Sequence, residues 1–426
     1  MKANAFGNTI DNDLWRQVQA VAGKPVLDIE HDFTRQAGVP LVRVEQAKTG
    51  SSLTEGRFAE DPASLRGVPE RLWHIPLSVA ARGEAPHTLL LTRTTAVGDA
   101  VPLVNAGGTA YTRVAYPQAV VKALAERMPA LAASDQINLM NDAWALGQSG
   151  YSPAANVMAF MAKLPVDANP VAWDRALSVL LAIDRAYGED PRRAVFRREA
   201  LHLLQPLDRR LGETPMANES ANLTTLRSSA WMARARFDDG RALERARRIF
   251  ADGRGSGEEQ RAALDIVGQA ADAPTFDMLL ARARSTKDPQ VRMRILRAMA
   301  RAGDPALSKR MVDIACGPDT PAGSAARLII IAGRESPDAV WRALQPHLAR
   351  GTLPIDQQMR WYVMPAIAGW SANRTRIAEV RRYGESDMPA DARRPVEEAV
   401  SSITLNARVK ALALPGIDRW VASRAP

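Results

Sequence analysis

Residues 272–316, DAPTFDMLLARARSTKDPQVRMRILRAMARAGDPALSKRMVDIAC, decide the fold that the sequence predicts. Their apolar side chains recur at spacings of three, four and seven, which is the period of an α-helix rather than the alternation of a strand. Three prolines, Pro274, Pro289 and Pro305, each follow an aspartate by one or two residues. A proline fits the first turn of a helix but cannot continue one, so each aspartate marks a helix start.

The same helical pattern extends on both sides of this stretch, from residue 258 to about residue 350. Helix pairs recur about every 30 residues, which is typical of a stacked, HEAT/armadillo-like α-helical solenoid. No pair buries its apolar stripe alone, so neighbouring pairs must stack on it. The predicted stripes are Ala263, Ile266, Val267 and Ala270; Phe276, Leu279, Leu280 and Ala283; Val291, Ile295, Leu296 and Met299; and Leu307, Met311, Ile314 and Ala315.

The composition is that of a globular protein with room for two or three domains: 426 residues, of which 46% are hydrophobic. No apolar run approaches the roughly 20 residues of a membrane span. Residues 1–13 are polar and lack the apolar core of a secretory signal. We therefore expect a soluble chain with no signal peptide in the sequence as given, and the compartment stays unknown.

The net charge of +9 raises nucleic acid as a partner, but the distribution of the charge argues against it. In the densest run of arginines, residues 234–248, the basic side chains alternate with Asp238, Asp239 and Glu244. Such alternation is typical of solvated helix faces. No nucleic-acid-binding motif accompanies the charge.

Three regions follow one another in the predicted mostly α architecture. Residues 1–38 form a helical stub, in which a first helix begins among residues 9–13 and ends at Gly23 and a second covers residues 26–37. Residues 39–117 form a small β-sandwich of six or seven short strands, and residues 118–426 form a superhelical α-helical domain. The clearest strands are residues 41–45, 72–79, 87–93, 102–106 and 109–116.

The helical region before residue 258 is punctuated by its own start and stop signals. Ser134 is the expected N-cap of one helix and Gly150 its stop, while residues 217–220 form a polar link. The expected stripes are Val120, Leu124 and Met128; Ile137, Met140, Trp144 and Ala145; Trp173, Leu177, Leu180 and Leu181; and Val195, Ala200, Leu203 and Leu204. Further helices are expected at residues 361–370, 396–405 and 417–422.

The chain shows no catalytic centre of its own. None of the five histidines belongs to an H-E-x-x-H motif, and no G-x-S-x-G, Walker or G-x-G-x-x-G sequence occurs. The single cysteine, Cys316, excludes an intrachain disulfide and reads as a buried structural thiol. The glycine-rich residues 253–257 fit a solvent loop better than a phosphate cradle, and Asp238 and Asp239 are adjacent and point apart. We therefore predict no catalytic, cofactor-binding or metal-binding residues, while the substrate-binding residues stay unknown.

Four parts of the chain resemble one family, the gluzincin zinc aminopeptidases of the aminopeptidase N and puromycin-sensitive aminopeptidase type. The matching segments are GNT (7–9) and DLW (13–15) with FTRQAGVPLV (33–42); Arg57-Phe58, WHIPL (73–77), Val104-Asn105 and YTRVAY (111–116); QINLMNDAWAL (136–146); and the repeat at 275–305. They cover nearly the whole chain in the family's order. The chain departs from the family at Ala110, Thr112, Ala115 and Gln136, where glycine, an aromatic residue, asparagine and arginine are usual.

The resemblance implies the C-terminal half of such an enzyme, in which a helical bowl closes over the active site. The family's zinc ligands, its G-x-M-E-N motif and its catalytic tyrosine precede this region and have no counterpart here. No catalytic residue therefore carries over, zinc is expected only in a catalytic domain outside this chain, and the chain alone should be inactive.

Two hypotheses follow from the sequence. The favoured one is a non-catalytic region that encloses the peptide substrate, helps to set its length and attracts its carboxylates with arginines. Its partners would be the peptide and the missing catalytic domain. The alternative is a free-standing helical-repeat scaffold that binds another protein. Apolar faces left exposed around Leu14, Val18, Ile29 and Phe33 would favour the first, since a free-standing scaffold has no need of them.

Overall fold

The computed structural model describes residues 7–46, 50–98, 101–216 and 218–424. The chain divides into two compact units, of which the first ends at Ala172 and the second begins at Trp173. The predicted mostly α architecture, a small β-sandwich followed by a helical solenoid, is confirmed. The predicted domain boundaries at 38/39 and 117/118 stay predictions. None of the described helices is long and apolar enough to cross a membrane.

The first unit begins with two helices, α1 (Asp11–Ala22) and α2 (Val26–Arg35). The Asp13 carboxylate accepts a hydrogen bond from the Ile10 N–H at 3.1 Å and so satisfies one free donor at the start of α1. Gly23 adopts the left-handed conformation (φ 62°) and ends α1, as predicted. The second helix ends two residues before its predicted end.

Two small sheets form the sandwich of the first unit. One has the order β5-β2-β1-β7, with β1 and β7 parallel, and the other has the order β4-β3-β6. Their inner faces bury a common core that includes Leu53, Trp73 and Leu77. The strands are β1 (Val39–Gln46), β2 (Ser51–Phe58), β3 (Ile75–Ala80), β4 (His87–Leu91), β5 (Thr94–Val97), β6 (Leu103–Val104) and β7 (Arg113–Ala115).

The sequence pattern did not indicate β2, although it pairs with β1 along its whole length. The inward-facing residues of β2 are Ser51, Leu53 and Glu55, so apolar and polar residues do not alternate along it. Glu55 is buried because its carboxylate accepts a hydrogen bond from the Trp73 N–H on the way into β3. Burial raises the pKa of Glu55 to about 7, and that hydrogen bond only partly opposes the rise.

We expect Glu55→Gln to stabilise the protein at alkaline pH. Between about pH 4.5 and 7 the folded chain keeps a proton on Glu55 that the unfolded chain releases, so stability falls as the pH rises. Glutamine keeps the acceptor for Trp73 but never ionises. Above about pH 8 the variant should gain up to about 3 kcal/mol in the free energy of unfolding, measured by urea denaturation at several pH values. The surface variant Glu84→Gln should follow the parent protein, and a Glu55→Gln curve parallel to the parent's would contradict the prediction.

Three helices complete the first unit: α3 (Gln118–Arg127), α4 (Ala133–Ser149) and α5 (Ala155–Met161). Gly150 ends α4 in the left-handed conformation, as predicted (φ 81°). The predicted N-cap Ser134 is wrong, since α4 begins two residues earlier than predicted and Ala132 is its N-cap. The carbonyl of Ala132 already accepts hydrogen bonds from the N–H groups of Asp135 and Gln136, which places Ser134 inside the first turn.

The second unit is a stack of helices in two rows. One row contains α8, α10, α12, α14, α16 and α18, and α13 packs beside α15 in the other row. The bounds are α6 (Pro170–Tyr187, which begins three residues before this unit), α7 (Arg193–Leu211), α8 (Ala221–Arg236), α9 (Gly240–Asp252), α10 (Gly257–Gln269), α11 (Ala273–Ser285), α12 (Pro289–Met299), α13 (Pro305–Ala315), α14 (Ala325–Glu335), α15 (Pro337–Ala349), α16 (Gln357–Gly369), α17 (Thr375–Asp387), α18 (Arg394–Arg408) and α19 (Leu414–Ala422).

The helix starts predicted at three aspartates are confirmed, and the aspartate side chains cap these helices. The carboxylates of Asp272, Asp288 and Asp304 accept hydrogen bonds from the N–H groups of Thr275, Gln290 and Ala306 at 2.9, 2.7 and 2.7 Å. Each therefore satisfies a donor that the first turn leaves free.

Two residues of the predicted stripes are exposed. Val195 is predicted on the inner face of α7, but the structure buries Phe196 at this end of the stripe, whereas the predicted Ala200 and Leu204 are buried. Ala270 lies just after α10, where the helix has ended and its side chain points to solvent. Of the predicted link 217–220, residue 217 lies outside the described residues, and Ser220 caps α8.

The first and last helices of the second unit contact each other. The Tyr187 hydroxyl donates a hydrogen bond to Asp418 of α19 at 2.7 Å, and Arg192 donates to the same carboxylate at 2.7 Å. Arg424, just after α19, donates to Glu199 of α7 at 2.7 Å. The helical array of this unit is therefore closed on itself rather than open at its two ends.

Candidate functional site

A buried carboxylate near the end of α6 gathers arginines from two other helices. Asp184 is fully buried. Arg193 of α7 donates two hydrogen bonds to its carboxylate, from Nε to Oδ1 at 2.8 Å and from Nη2 to Oδ2 at 2.6 Å. Arg197, one turn further along α7, adds a bond from Nε to Oδ1 at 2.7 Å. Such forked guanidinium–carboxylate contacts fix the side chains as well as pairing their charges.

A third arginine extends the network to α14. Arg236, the last residue of α8, donates from Nε to Asp184 Oδ2 at 3.1 Å and from Nη1 to the carboxylate of Glu335, the last residue of α14. Four helices, α6, α7, α8 and α14, are thus joined by charged groups. The contact between α8 and α14 joins members of one row that are far apart in the sequence.

The carboxylate of Asp184 is ionised in this setting. Burial would raise the pKa of Asp184, but the hydrogen bonds from Arg193 and Arg197 outweigh it and hold the pKa well below its usual value. Burial likewise disfavours the charge of Arg236, and the negative charges of Glu335 and Asp184 overcome this and raise its pKa. Asp184 and Arg236 are therefore a pair of full and opposite charges.

Two further arginines belong to the same electrostatic environment but have no carboxylate partner among the described residues. Arg185 is exposed, yet desolvation by the surrounding protein and repulsion by Arg236 lower its pKa, despite the attraction of the nearby carboxylates. The positive charge of Arg334 also repels Arg185. The guanidinium of Arg334 stacks on Trp370, 5.3 Å from the centre of the ring. We use the name arginine cluster for Arg185, Arg193, Arg197, Arg236 and Arg334.

The arginine cluster carries more positive than negative charge. Its five guanidinium groups face three carboxylates, namely the buried Asp184, the half-buried Glu335 and Asp238, which is 2.6 Å from Arg197 Nη1. The surplus lies on Arg185 and Arg334, which are accessible to solvent. A pair of accessible guanidinium groups repelled by a like charge is suited to bind a carboxylate or another anion.

The residues that sequence reasoning considered for chemistry are scattered. The Asp238 and Asp239 carboxylates do point to different partners, Arg197 and Arg234. His31 contacts Asn12 at 2.7 Å, and His74 contacts Asp32 at 2.7 Å. His87 and His202 are exposed, and His347 lies between Asp313 and Thr352.

The remaining candidates serve as structural or surface residues. Gly253 ends α9 in the left-handed conformation and Ser256 caps α10, so the glycine-rich run is the turn between these helices. Cys316 is half-buried, and burial raises the pKa of its thiol to about 11, which suppresses the reactive thiolate. Trp361 and Trp370 pack against the helical core, whereas Tyr362 is exposed.

One signal could have located the arginine cluster from the sequence. Asp184 follows Leu177 and Leu180 at helical spacings of seven and four, so it occupies an apolar stripe where a charge needs a partner. The sequence does not show which residues pair with Asp184, because the arginines come from α7 and α8 and the second acid, Glu335, comes from α14. Within residues 7–46, 50–98, 101–216 and 218–424, no group of three or more metal-ligating side chains could hold a metal ion, and no zinc chemistry is assigned to them.

The fold defines this chain as a helical-repeat protein that also carries a small β-sandwich. A profile of the ERAP1-like C-terminal domain matches residues 102–405, which is well over half of the chain. The chain therefore belongs to the ERAP1-like C-terminal domain family, and the resemblance to a C-terminal part of the zinc aminopeptidase family is confirmed.

Curated relatives agree with this assignment. The chain is 23% identical over 346 residues to the puromycin-sensitive aminopeptidase of Caenorhabditis elegans, covering 74% of this chain and 35% of the relative. It is 25% identical over 209 residues to a glutamyl aminopeptidase of Bitis rhinoceros (45% and 22% covered). It is 24% identical over 299 residues to the tricorn protease-interacting factor F2 of Thermoplasma volcanium (70% and 36% covered). The matched region thus spans between a fifth and about a third of the length of these relatives.

Proposed function

We propose that this chain is the non-catalytic, substrate-enclosing region of a zinc aminopeptidase and helps to set the length of the peptides that the enzyme accepts. The zinc and the residues that use it would lie in a catalytic domain outside this chain. The observation that carries the proposal is the arginine cluster, in which two accessible cations lack a carboxylate partner among the described residues. The family membership of the chain supplies the class of ligand, a peptide.

The surface of α1 supports a catalytic domain as the neighbour of this region. Ile10, Leu14, Val18 and Val21 are 59%, 61%, 38% and 91% exposed and lie on or just before one helix. A row of exposed aliphatic side chains of this kind marks a surface that another protein surface covers. Ile29 and Phe33 of α2 are half-buried, so the apolar surface is concentrated on α1.

The arginine cluster supports recognition of a peptide at its C-terminal end. A free C-terminal carboxylate is present in every unmodified peptide and is a natural partner for Arg185 and Arg334. The other three members of the arginine cluster are paired with Asp184, Asp238 and Glu335. These pairs hold the surrounding side chains in place and leave the charges of Arg185 and Arg334 without a carboxylate partner among the described residues. If the C-terminal carboxylate is bound at a fixed position, the length of the peptide decides how far its N-terminus reaches.

We expect Arg185→Ala to weaken the binding of a peptide with a free C-terminus about tenfold, as loss of one charge-assisted contact predicts. The measurement is fluorescence anisotropy with an N-terminally labelled peptide of about ten residues at low salt. The same peptide with a C-terminal amide should bind the parent protein more weakly and should lose no further affinity in the variant.

The matched control is Arg248→Ala, which removes an exposed arginine of α9 that has no ion-pair partner among the described residues. It should leave the affinity unchanged. Equal binding of the acid and the amide, or equal losses in the two variants, would refute the role of the arginine cluster.

A further inference from the structure

A groove of about 590 Å³ runs between α13 and α15. Its floor is made of small apolar side chains, including Ala306 of α13 and Ala339 and Ala343 of α15. Small residues on a floor allow another polypeptide to approach the backbones of both helices closely. The groove belongs to the helix row opposite α14, whereas the arginine cluster is built on α6, α7, α8 and α14.

The rim of the groove is basic. Lys309, Arg342 and Arg350 line it and are exposed, and none has an ion-pair partner among the described residues. The one acid in the lining, Asp313, is 3.2 Å from the ring of His347. Three cations without partners therefore surround an apolar floor, which is complementary to a ligand that combines acidic groups with an apolar surface.

The spacing of the cations restricts the shape of the ligand. Arg342 lies on α15 and Arg350 directly follows its last residue, so their Cα atoms, eight residues apart, are separated by about 12 Å along the helix axis. A single small anion would contact both only if the two side chains bent towards each other, whereas two separate carboxylates match them without that bending. Two acidic side chains seven or eight residues apart on another helix have the same separation and share one face.

We propose that this groove binds an acidic amphipathic helix of a partner protein, with its apolar face on the alanines and its carboxylates against the cations of the rim. The helix-in-groove mode combines apolar anchors at helical spacing with charges at the edges. A nucleic acid fits less well, because the one aromatic ring in the lining is the half-buried His347 imidazole, whose two nitrogens already contact Thr352 and Asp313. This proposal rests on other residues than the function proposed above. It adds a second ligand, a partner protein, to the peptide.

The test uses the full chain and a labelled peptide of about 16 residues. The peptide places glutamates on one helical face, seven residues apart, and leucines on the other, and it carries a C-terminal amide so that it offers no terminal carboxylate to the arginine cluster. We expect the double variant Arg342→Glu/Arg350→Glu to bind it at least tenfold more weakly in fluorescence anisotropy. A scrambled peptide of the same composition should bind the parent protein at least tenfold more weakly than the designed one.

The matched control is Arg247→Glu/Arg248→Glu, which makes the same change of charge on exposed positions of α9 and should keep the affinity within about twofold. Arg185→Ala should also leave it unchanged, which separates this test from that of the arginine cluster. Equal losses in the two double variants, or equal binding of the scrambled peptide, would overturn the proposal. Tighter binding of a labelled single-stranded DNA, lost in the same groove variant, would overturn it in favour of a nucleic-acid site.

Discussion

Replacing Asp184 by asparagine is expected to lower the free energy of unfolding by about 3–5 kcal/mol, because it leaves buried cations without their counter-charge. Arg193, Arg197 and Arg236 all donate to this carboxylate, and Asp184 itself has no solvent exposure. The amide keeps the size of the side chain, so the expected loss reports charge rather than packing. Urea denaturation followed by circular dichroism gives the difference.

The control for this variant is Asp319→Asn. Asp319 accepts a comparable forked pair of bonds from Arg284, at 3.0 and 2.7 Å, but at an exposed position. Surface pairs of this kind contribute little, so the variant should be close to the parent protein. Similar losses in the free energy of unfolding in both variants would show that the buried ion pairs of Asp184 stabilise the fold no more than an exposed pair does.

The pH dependence gives Asp184 a second signature. Its pKa in the folded chain lies below the ordinary value of 3.8, so its stabilising effect is fully present above that value and is lost as the pH falls through the folded-state pKa. The parent protein should therefore lose more stability below about pH 4 than Asp184→Asn does. A variant that follows the parent over this range would contradict the ionised state.

Gly268→Ala is expected to cost about 3 kcal/mol, because α10 and α12 approach too closely for a side chain at this position. A Cβ atom on Gly268 would lie 2.2 Å from the carbonyl oxygen of Ala298 and 2.4 Å from its carbonyl carbon. Both are backbone atoms, so relief requires the helices to separate. Elsewhere in a helix the same substitution is favourable by up to about 1 kcal/mol.

Gly257→Ala supplies that comparison within the same helix. Gly257 begins α10, and the nearest atom to an added Cβ is the flexible end of Arg261 at 3.7 Å. We expect this variant to match or exceed the parent protein in a thermal melt, while Gly268→Ala melts at a clearly lower temperature. Similar melting of the two variants would mean that α10 and α12 move apart at little cost.

The fold could be predicted from the sequence where nearby residues alone determine the start of a helix and where the buried side chains are apolar. Asp272, Asp288 and Asp304 mark helix starts as predicted, because an aspartate before a proline acts within a single turn. The strand β2 was missed because its inward face carries Glu55, whose burial depends on the N–H of Trp73, 18 residues away. Ser134 illustrates a smaller limit, since a good capping residue does not fix the helix start when the helix can begin two residues earlier.

The arginine cluster could not be predicted for a related reason. Arg236 and Glu335 are 99 residues apart in the chain and meet only because the last residues of α8 and α14, two helices of one row, come together. Local periodicity shows that α8 and α14 are helices, but it carries no information on which of their ends come together. The family resemblance suggested that arginines attract the peptide's carboxylates, whereas the members of the arginine cluster could be identified only from the tertiary structure.

The contacts of Asp418 with Tyr187 and Arg192 have a consequence for how the second unit unfolds. An open solenoid loses its terminal repeats first, since each has a neighbour on one side only. Here the last helix is attached to the first ones, so neither end can detach without breaking two sets of contacts. Fraying is suppressed, and amide hydrogens of α7 and α19 should exchange as slowly as those of the central helices. The array then unfolds as one cooperative ring.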